Sequence, residues 1–412
     1  MNAEVITIGE EIISGHTLDT NSAYIANKLS EIGIAVRYRV SVGDRVEDIE
    51  EAILTAWNRS AVTIATGGLG PTTDDITKKA TCNAFERKLI FHDDLLKLLE
   101  DRFRSLHRKL PAIAQNQALQ PQGAELLDNP IGSAPGILFQ EDERCFISLP
   151  GVPSEMEAIV NQSVLPLLLK RQGRKHIEIR RIRTTGITES ELAQAIADLE
   201  PIRENMWLAY LPGHQGTDLR VVCRSANETE AKAEVDKLSE AIVGRIGEFI
   251  YTIGDQTISE VVGSLLKNGG KTIATAESCT GGLIAKYLTD VPGSSEYYRG
   301  SVVAYANEIK QSLLKVPPEL LEQHGAVSAQ VAEAMATGVR RVIGADFGLS
   351  STGIAGPDGG TPEKPVGLVY IGCAQASGVV SKKVNLFGTR QRVRERSATM
   401  ALDILRKIII GR

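Results

Sequence analysis

"TIATAESCTGGLIAKYLT" (residues 272–289) passes from an apolar run into small polar side chains, two glycines and an apolar helical pattern. Read as strand, tight turn and helix, it makes this part of the chain an α/β layer. The strand then delivers Glu277, Ser278, Cys279 and Thr280 to the end of a sheet. A turn needs glycine, but it does not need several small polar residues at one place. Two readings stay open. Ser278 or Thr280 caps a helix, or Ser278 is a nucleophile on a strand-to-helix turn, where helix amides can hold an oxyanion. A serine nucleophile needs a base, and no histidine lies in the neighbouring motifs. The candidates are Glu277 and a lysine. "VVAYANEIK" (302–310) brings Tyr305 and Lys310 to the end of another strand-like run, and a buried lysine can serve as base.

The surrounding segments extend the same pattern. "TISEVVGSLLKNGG" (257–270) reads as a capped helix, and "FGLSSTGIAG" (347–356), "VGLVYIGCA" (366–374) and "VVSKKVNLF" (379–387) read as strands. "TGIAGPDGGTPEKPVG" (352–367) is a second strand-terminal glycine loop, with Gly353 and Gly356 in it. "FGTRQRVR" (387–394) sets Arg390, Arg392 and Arg394 at a helix start, a candidate phosphate clamp.

At the other end of the chain, "EVITIG", "TNSAYIANKLSEIG", "AVRYRVSVG", "RVEDIEEAILTAW" and "AVTIATGG" alternate strand and helix from residue 4 to residue 68. That alternation predicts a parallel sheet covered on both faces, with ligands beyond the strand ends at Gly9-Glu10 and Gly67-Gly68. "TGGLGPTTDDIT" (66–77) has Gly67, Gly68 and Gly70 for close backbone approach, then Asp74 and Asp75 before a helix. Two carboxylates would repel a phosphate unless a divalent cation lay between them, so phosphate plus metal is one reading. A capped helix is the other. Between the two layered segments, residues 177 to about 251 read as a small α+β unit. Its basic run "RKHIEIRRIR" (174–183) reads as a solvated edge strand.

At 412 residues the chain exceeds what one core serves. Net charge is -5, which gives no nucleic-acid footprint. The five cysteines are scattered without a C-x-x-C pair, which argues against a disulfide framework or a structural zinc. No apolar run is long enough to span a bilayer and the N-terminus is no signal sequence, so a cytoplasmic protein is expected.

The joined motifs carry a resemblance over essentially the whole chain. "GEEIISGHTLDTNSAYIANKL", "TGGLGPTTDDIT", "NPIGSAPGI" and "LPGVPSEM" resemble the molybdopterin-binding domain of molybdenum-cofactor biosynthesis proteins. Their wording is closer still to the N-terminal domain of the CinA (competence/damage-inducible) family. "AESCTGGLIA", "DVPGSSEYYRGSVVAYANEIK", "HGAVSAQVAEAMATG", "STGIAGPDGGTPEKPVG" and "GTR" resemble the C-terminal CinA domain. The implied fold is α/β with three parts. They are an N-terminal MoaB/MogA-like three-layer α/β domain (1–170), a small α+β KH-like middle domain (171–252) and a C-terminal layered α/β CinA domain (253–412). The implied activities are two. The C-terminal domain would be a nicotinamide-nucleotide amidase, converting nicotinamide mononucleotide (NMN) to nicotinate mononucleotide and ammonia without a cofactor. The N-terminal domain would be an ADP-ribose pyrophosphatase using a divalent cation (Mg, Mn or Co).

Carried over by position, Ser278 matches the catalytic serine, Lys310 the general base and Tyr305 its assisting hydroxyl. Thr280, with Gly281, Gly353 and Gly356, falls in the substrate loops, and Arg390 matches a phosphate contact. Ala306 stands where relatives often carry a small hydroxyl residue. In the N-terminal domain Glu10, Asn21, Gly67, Gly68, Gly70, Asp74 and Asp75 fall in the nucleotide site, with Asp74 and Asp75 as metal ligands. The resemblance also implies a homodimer acting in pyridine nucleotide recycling. "PGHQGTD" (212–218) matches a G-x-x-G clamp only in part, so nucleic-acid binding is not expected. The competing expectation is a molybdopterin- or nucleotide-binding protein with inactive sites, linked to competence or DNA damage.

Overall fold

The computed structural model describes residues 1–72, 75–105, 107–172, 176–201, 205–213 and 215–411. The chain divides into two compact units, one of residues 1–177 with 224–227, the other of residues 178–223 with 228–412.

The first unit runs β1 (Asn2–Ile8), α1 (Glu10–Ile13), α2 (Thr20–Glu31), β2 (Ala35–Val42), α3 (Val46–Arg59), β3 (Val62–Thr66) and α4 (Thr77–Ala84). It continues with β4 (Leu89–Phe91), α5 (Asp93–Ser105), β5 (Leu119–Pro121), β6 (Glu125–Leu127), β7 (Gly136–Glu141) and β8 (Arg144–Leu149). The helices α6 (Pro153–Ile159) and α7 (Leu165–Gln172) close it. Six strands lie in the order β2-β1-β3-β8-β7-β6. β1 is parallel to β2 and β3, and β3 to β8, while β7 runs antiparallel to β8 and β6. Alternate residues of each strand enter different cores, as the two-residue strand period demands. Val5, Ile64 and Ile147 meet Ile25, Leu29, Met156 and Ile159. Ile6, Ala65 and Phe146 meet Ile49, Ile53 and Ala80. The sheet is therefore the middle of three layers.

In the second unit, β9 (His176–Thr184), α8 (Glu189–Ile196), β10 (Met206–Pro212), β11 (Thr217–Ser225), α9 (Glu228–Ile246) and β12 (Ile250–Ile253) build a four-stranded sheet ordered β10-β11-β9-β12. The basic run is thus an interior strand and not the expected solvated edge. It is tolerated there because its arginines are paired. Arg180 reaches Asp236 at 2.7 Å, and Asp218 takes Arg181 at 2.9 Å and Arg183 at 3.2 Å. The described residues of "PGHQGTD" form the hairpin turn between β10 and β11, closed by Gly213 N–H to Gly216 O at 2.8 Å.

The remaining elements are α10 (Ile258–Asn268), β13 (Ile273–Glu277), α11 (Leu283–Thr289), β14 (Tyr298–Val303), α12 (Asn307–Ser312), α13 (Pro318–His324) and α14 (Ala329–Ile343). β15 (Phe347–Gly353), β16 (Leu368–Gln375), β17 (Gly378–Asn385) and α15 (Arg390–Ile409) follow. Five strands lie in the order β14-β13-β15-β16-β17, with β13 parallel to both β14 and β15. Thr257 and Glu260 cap α10 reciprocally, as the sequence pattern asks. Again two cores flank the sheet: Ile273 and Leu349 face Val262, Leu288 and Leu402, while Ala274 and Ala276 face Val331, Met335 and Val339. Truncating Leu349, fully buried, to alanine would cost about 2–5 kcal/mol. No helix among the described residues is long and apolar enough to cross a membrane.

Candidate active sites

In the second unit, three neighbouring strands end at one level. Glu277 is in register with Val303 of β14 and with Ser351 of β15. The Ser278 amide donates to the Ser351 carbonyl at 3.0 Å, and the Ala304 amide to the Glu277 carbonyl at 2.8 Å. Ser278 therefore leaves β13 between the segment that carries Tyr305 and Lys310 and the loop that begins at Gly353.

Glu277 is not a free base. It is wholly buried, and its carboxylate accepts from Thr280 Oγ1 at 2.7 Å, Ile284 N at 3.0 Å and Ala285 N at 2.8 Å. The strand end caps the following helix, and the amides expected to face an external anion turn inward to this carboxylate. Thr280 Oγ1 also lies 2.6 Å from Ser351 Oγ, so its buried side chain is a structural tie and not an open substrate contact. The Gly281 amide is committed as well, donating to the Ser278 carbonyl at 3.1 Å. Gly281 and Gly282 both have left-handed backbones, with φ of 61° and 91°, which is why the turn needs glycine at both positions.

Lys310 is 1% exposed on α12, and its Nζ donates to the Tyr305 carbonyl at 3.1 Å. Burial pushes its pKa below the ordinary lysine value, partly opposed by the nearby Cys279 and Glu308. Cys279 is no rival nucleophile, since burial pushes its thiol up to about 12. The Tyr305 ring is 62% exposed, and its hydroxyl accepts from Arg390 at 3.0 Å, away from the lysine it was expected to assist. Arg390 also donates to the Gly356 carbonyl at 2.7 Å. No hydrogen bond joins Ser278 to Lys310 among the described residues. Gly353 has no room for a side chain, because a Cβ there would press on Val369 and the Leu368 carbonyl.

In the first unit, the loops after β1 and β3 lie side by side because those strands are parallel neighbours. Gly67 passes so close to the Ile8 carbonyl that a Cβ would collide with it. Asn21 Nδ2 donates to Thr66 Oγ1 at 3.1 Å and to the Gly151 carbonyl at 2.9 Å, while its Oδ1 is buried with no partner. Asp75 accepts from Gly70 N at 2.7 Å, Thr72 N at 2.8 Å and Thr72 Oγ1 at 2.6 Å, so it shapes the glycine loop. Asp74 lies outside the described residues. Glu10 is exposed, with its amide donating to Asp44 Oδ2 at 2.9 Å. Among the described residues no group of three His, Cys, Asp or Glu is placed to hold a metal. The described residues therefore form no protein-built metal cage. Asp75, the one expected ligand among them, is chemically suited to a cation shared with substrate phosphates.

The sequence matches three families in succession: "Probable molybdopterin binding domain" over residues 4–170, "Damage-inducible protein CinA KH domain" over 179–252 and "CinA C-terminal domain" over 255–409. A CinA-like protein of Cytophaga hutchinsonii is 43% identical over 98% of this chain and 97% of its own length. One from Dictyoglomus thermophilum is 42% identical over the full length of both. The chain belongs to the CinA family. The crystal structure of a competence/damage inducible protein from Agrobacterium tumefaciens is 38% identical, covering 38% of this chain and 94% of its own, with a TM-score of 0.36. The fold is accordingly the mixed α/β one expected: a MoaB-like N-terminal domain, a KH-like middle domain and the CinA C-terminal domain.

Three features of this CinA chain escaped the sequence reading. Arg394 does not wait for a phosphate, because its Nε and Nη2 donate to the Thr280 carbonyl at 3.2 and 2.8 Å. Ser351 anchors the turn that follows β13, and the polar run Ser350-Ser351-Thr352 at the end of an apolar strand was the available signal. Lys78 is buried under the glycine loop, with its Nζ donating to Asn116 O at 3.1 Å, Leu119 O at 3.2 Å and Gln117 Oε1 at 3.3 Å. Burial brings its pKa down to about 8, opposed by Asp75. The lysine pair in "DITKKA" carried no signal that one of the two is buried.

Proposed function

We propose that the CinA domain hydrolyses the carboxamide of NMN to nicotinate mononucleotide and ammonia. The observation that carries this reading is Lys310, a buried lysine pushed toward its neutral amine beside the strand end that presents Ser278. Neutral Lys310 takes the Ser278 hydroxyl proton while Oγ bonds to the carboxamide carbon. The Gly282 amide has no acceptor among the described residues, and it is the donor offered to the developing oxyanion. The proton then passes from Lys310 to the departing nitrogen, the C–N bond breaks and ammonia leaves. Water, deprotonated by Lys310, cleaves the acyl-enzyme and returns Ser278. Arg390, at the mouth of the site, keeps its Nε for a substrate phosphate.

The N-terminal domain is proposed to bind ADP-ribose along the loop of Gly67, Gly68 and Gly70, and to hydrolyse its diphosphate. A divalent cation held by Asp74 and Asp75 would supply charge neutralisation at the phosphates. Asn21 Oδ1, buried and unpartnered, would accept a hydrogen bond from the ligand. The three hydrogen bonds that already occupy Asp75 favour a second reading for this domain alone, a nucleotide- or pterin-binding module without hydrolysis. Incubating the full-length protein with NMN and with ADP-ribose, and following ammonia and AMP, tests the two halves separately.

A further inference from the structure

We infer that Arg394 is a positioning residue for the nucleophile turn, holding Ser278 in its attacking geometry through the Thr280 carbonyl. This rests on the reading of Ser278 as nucleophile. The first turns of α15 carry Arg390, Arg392, Arg394 and Arg396 at the positive end of the helix dipole, where cations are disfavoured. Two of them are engaged from one helix face, four residues apart. Arg390 ties the Tyr305 hydroxyl to the Gly356 carbonyl, and Arg394 grips the Thr280 carbonyl with two N–H groups.

That carbonyl belongs to the peptide whose amide, Gly281 N–H, donates back to the Ser278 carbonyl at 3.1 Å. One guanidinium therefore fixes the plane of the peptide that closes the turn, and it polarises the bond that shapes it. The left-handed Gly281 and Gly282 that follow it place no side chain against that plane from the C-terminal side. The Glu277 carboxylate restrains the turn from the interior through Thr280 Oγ1, and Arg394 restrains it from the α15 side. A lysine could supply the charge, but not the two-donor grip.

The test compares wild type, Arg394→Gln, Arg394→Lys and Ser278→Ala in the full-length protein. Two readouts are taken: kcat and KM for ammonia release from NMN, and the rate at which a fluorophosphonate probe labels Ser278, mapped by mass spectrometry. Arg394→Gln is expected to slow both labelling and kcat about 10–100-fold, since small misplacement of a reacting group costs that much. KM should stay within about threefold, because substrate binding is not what is lost. Arg394→Lys should recover part of the rate, and circular dichroism should be unchanged for both variants. Unchanged labelling and kcat in a folded Arg394→Gln protein overturn the inference and leave the nucleophile standing. A rise in KM with unchanged kcat makes Arg394 a substrate contact and likewise overturns it. If wild type neither labels at Ser278 nor releases ammonia, the nucleophile reading falls, and this inference falls with it.

Discussion

Lys310 Nζ donates to the backbone carbonyl of Tyr305 at 3.1 Å, while the phenol of that same tyrosine lies out on the surface against Arg390. The residue that positions the lysine therefore does so through its main chain. Because the acceptor is a neutral carbonyl, it opposes the desolvation that favours the neutral amine less than a carboxylate there would. Two consequences are measurable.

The first is the pH profile of deamidation. A base must be unprotonated, so kcat/KM should rise as pH rises through the Lys310 pKa, with its inflection below the ordinary lysine value of 10.5. Lys310→Arg, a permanent cation, should lower kcat by about 10²–10⁴-fold and abolish the inflection. An unchanged profile in Lys310→Arg would remove Lys310 from the mechanism.

The second follows from the exposed phenol. Tyr305→Phe deletes a hydroxyl that, among the described residues, bonds to Arg390 alone, and keeps the carbonyl that holds Lys310. It should alter KM, through Arg390, by less than about tenfold and leave the pH inflection in place. A shifted inflection would show that the hydroxyl acts on the lysine after all.

Glu277 is expected to govern stability. Glu277→Ala leaves Thr280 Oγ1 and the amides of Ile284 and Ala285 without their shared acceptor, at a cost of about 2–5 kcal/mol. Urea denaturation of wild type and variant measures this directly, and equal midpoints would contradict the capping role.

Lys78 predicts a pH dependence in the first unit. Its pKa is about 8 when folded and near 10.5 when unfolded, so between those values the unfolded chain binds more protons. The contribution of Lys78 to stability should therefore increase as pH rises from about 8 to about 10.5. Comparing urea midpoints of wild type and Lys78→Met across that window isolates it. Parallel curves would mean that Lys78 does not titrate there.

Much of this architecture was legible because it follows from period and punctuation. The alternation of strands with helices from "EVITIG" to "AVTIATGG" placed two parallel strands, and Thr257 announced its helix. The strand–turn–helix reading of residues 272–289 was likewise met. What was not legible depends on partners distant in sequence. The basic run at 174–183 looked like an edge because Asp218 and Asp236, which pair its arginines, lie tens of residues away. Arg394 looked like a phosphate ligand because its true acceptor, the Thr280 carbonyl, is a main-chain atom 114 positions distant. Spacing brought Ser278, Tyr305 and Lys310 to one sheet end, but it could not tell the carbonyl of Tyr305 from its hydroxyl as the group that meets the lysine.

The most direct test of Ser278 as an amidase nucleophile is ammonia release from NMN by full-length wild type and by Ser278→Ala, both checked for folding by circular dichroism. Wild type should release ammonia stoichiometrically with nicotinate mononucleotide. Ser278→Ala should fall by several orders of magnitude, about 10³-fold or more, because loss of a nucleophile costs far more than loss of a cap. Turnover in a folded Ser278→Ala protein close to that of wild type would contradict the assignment.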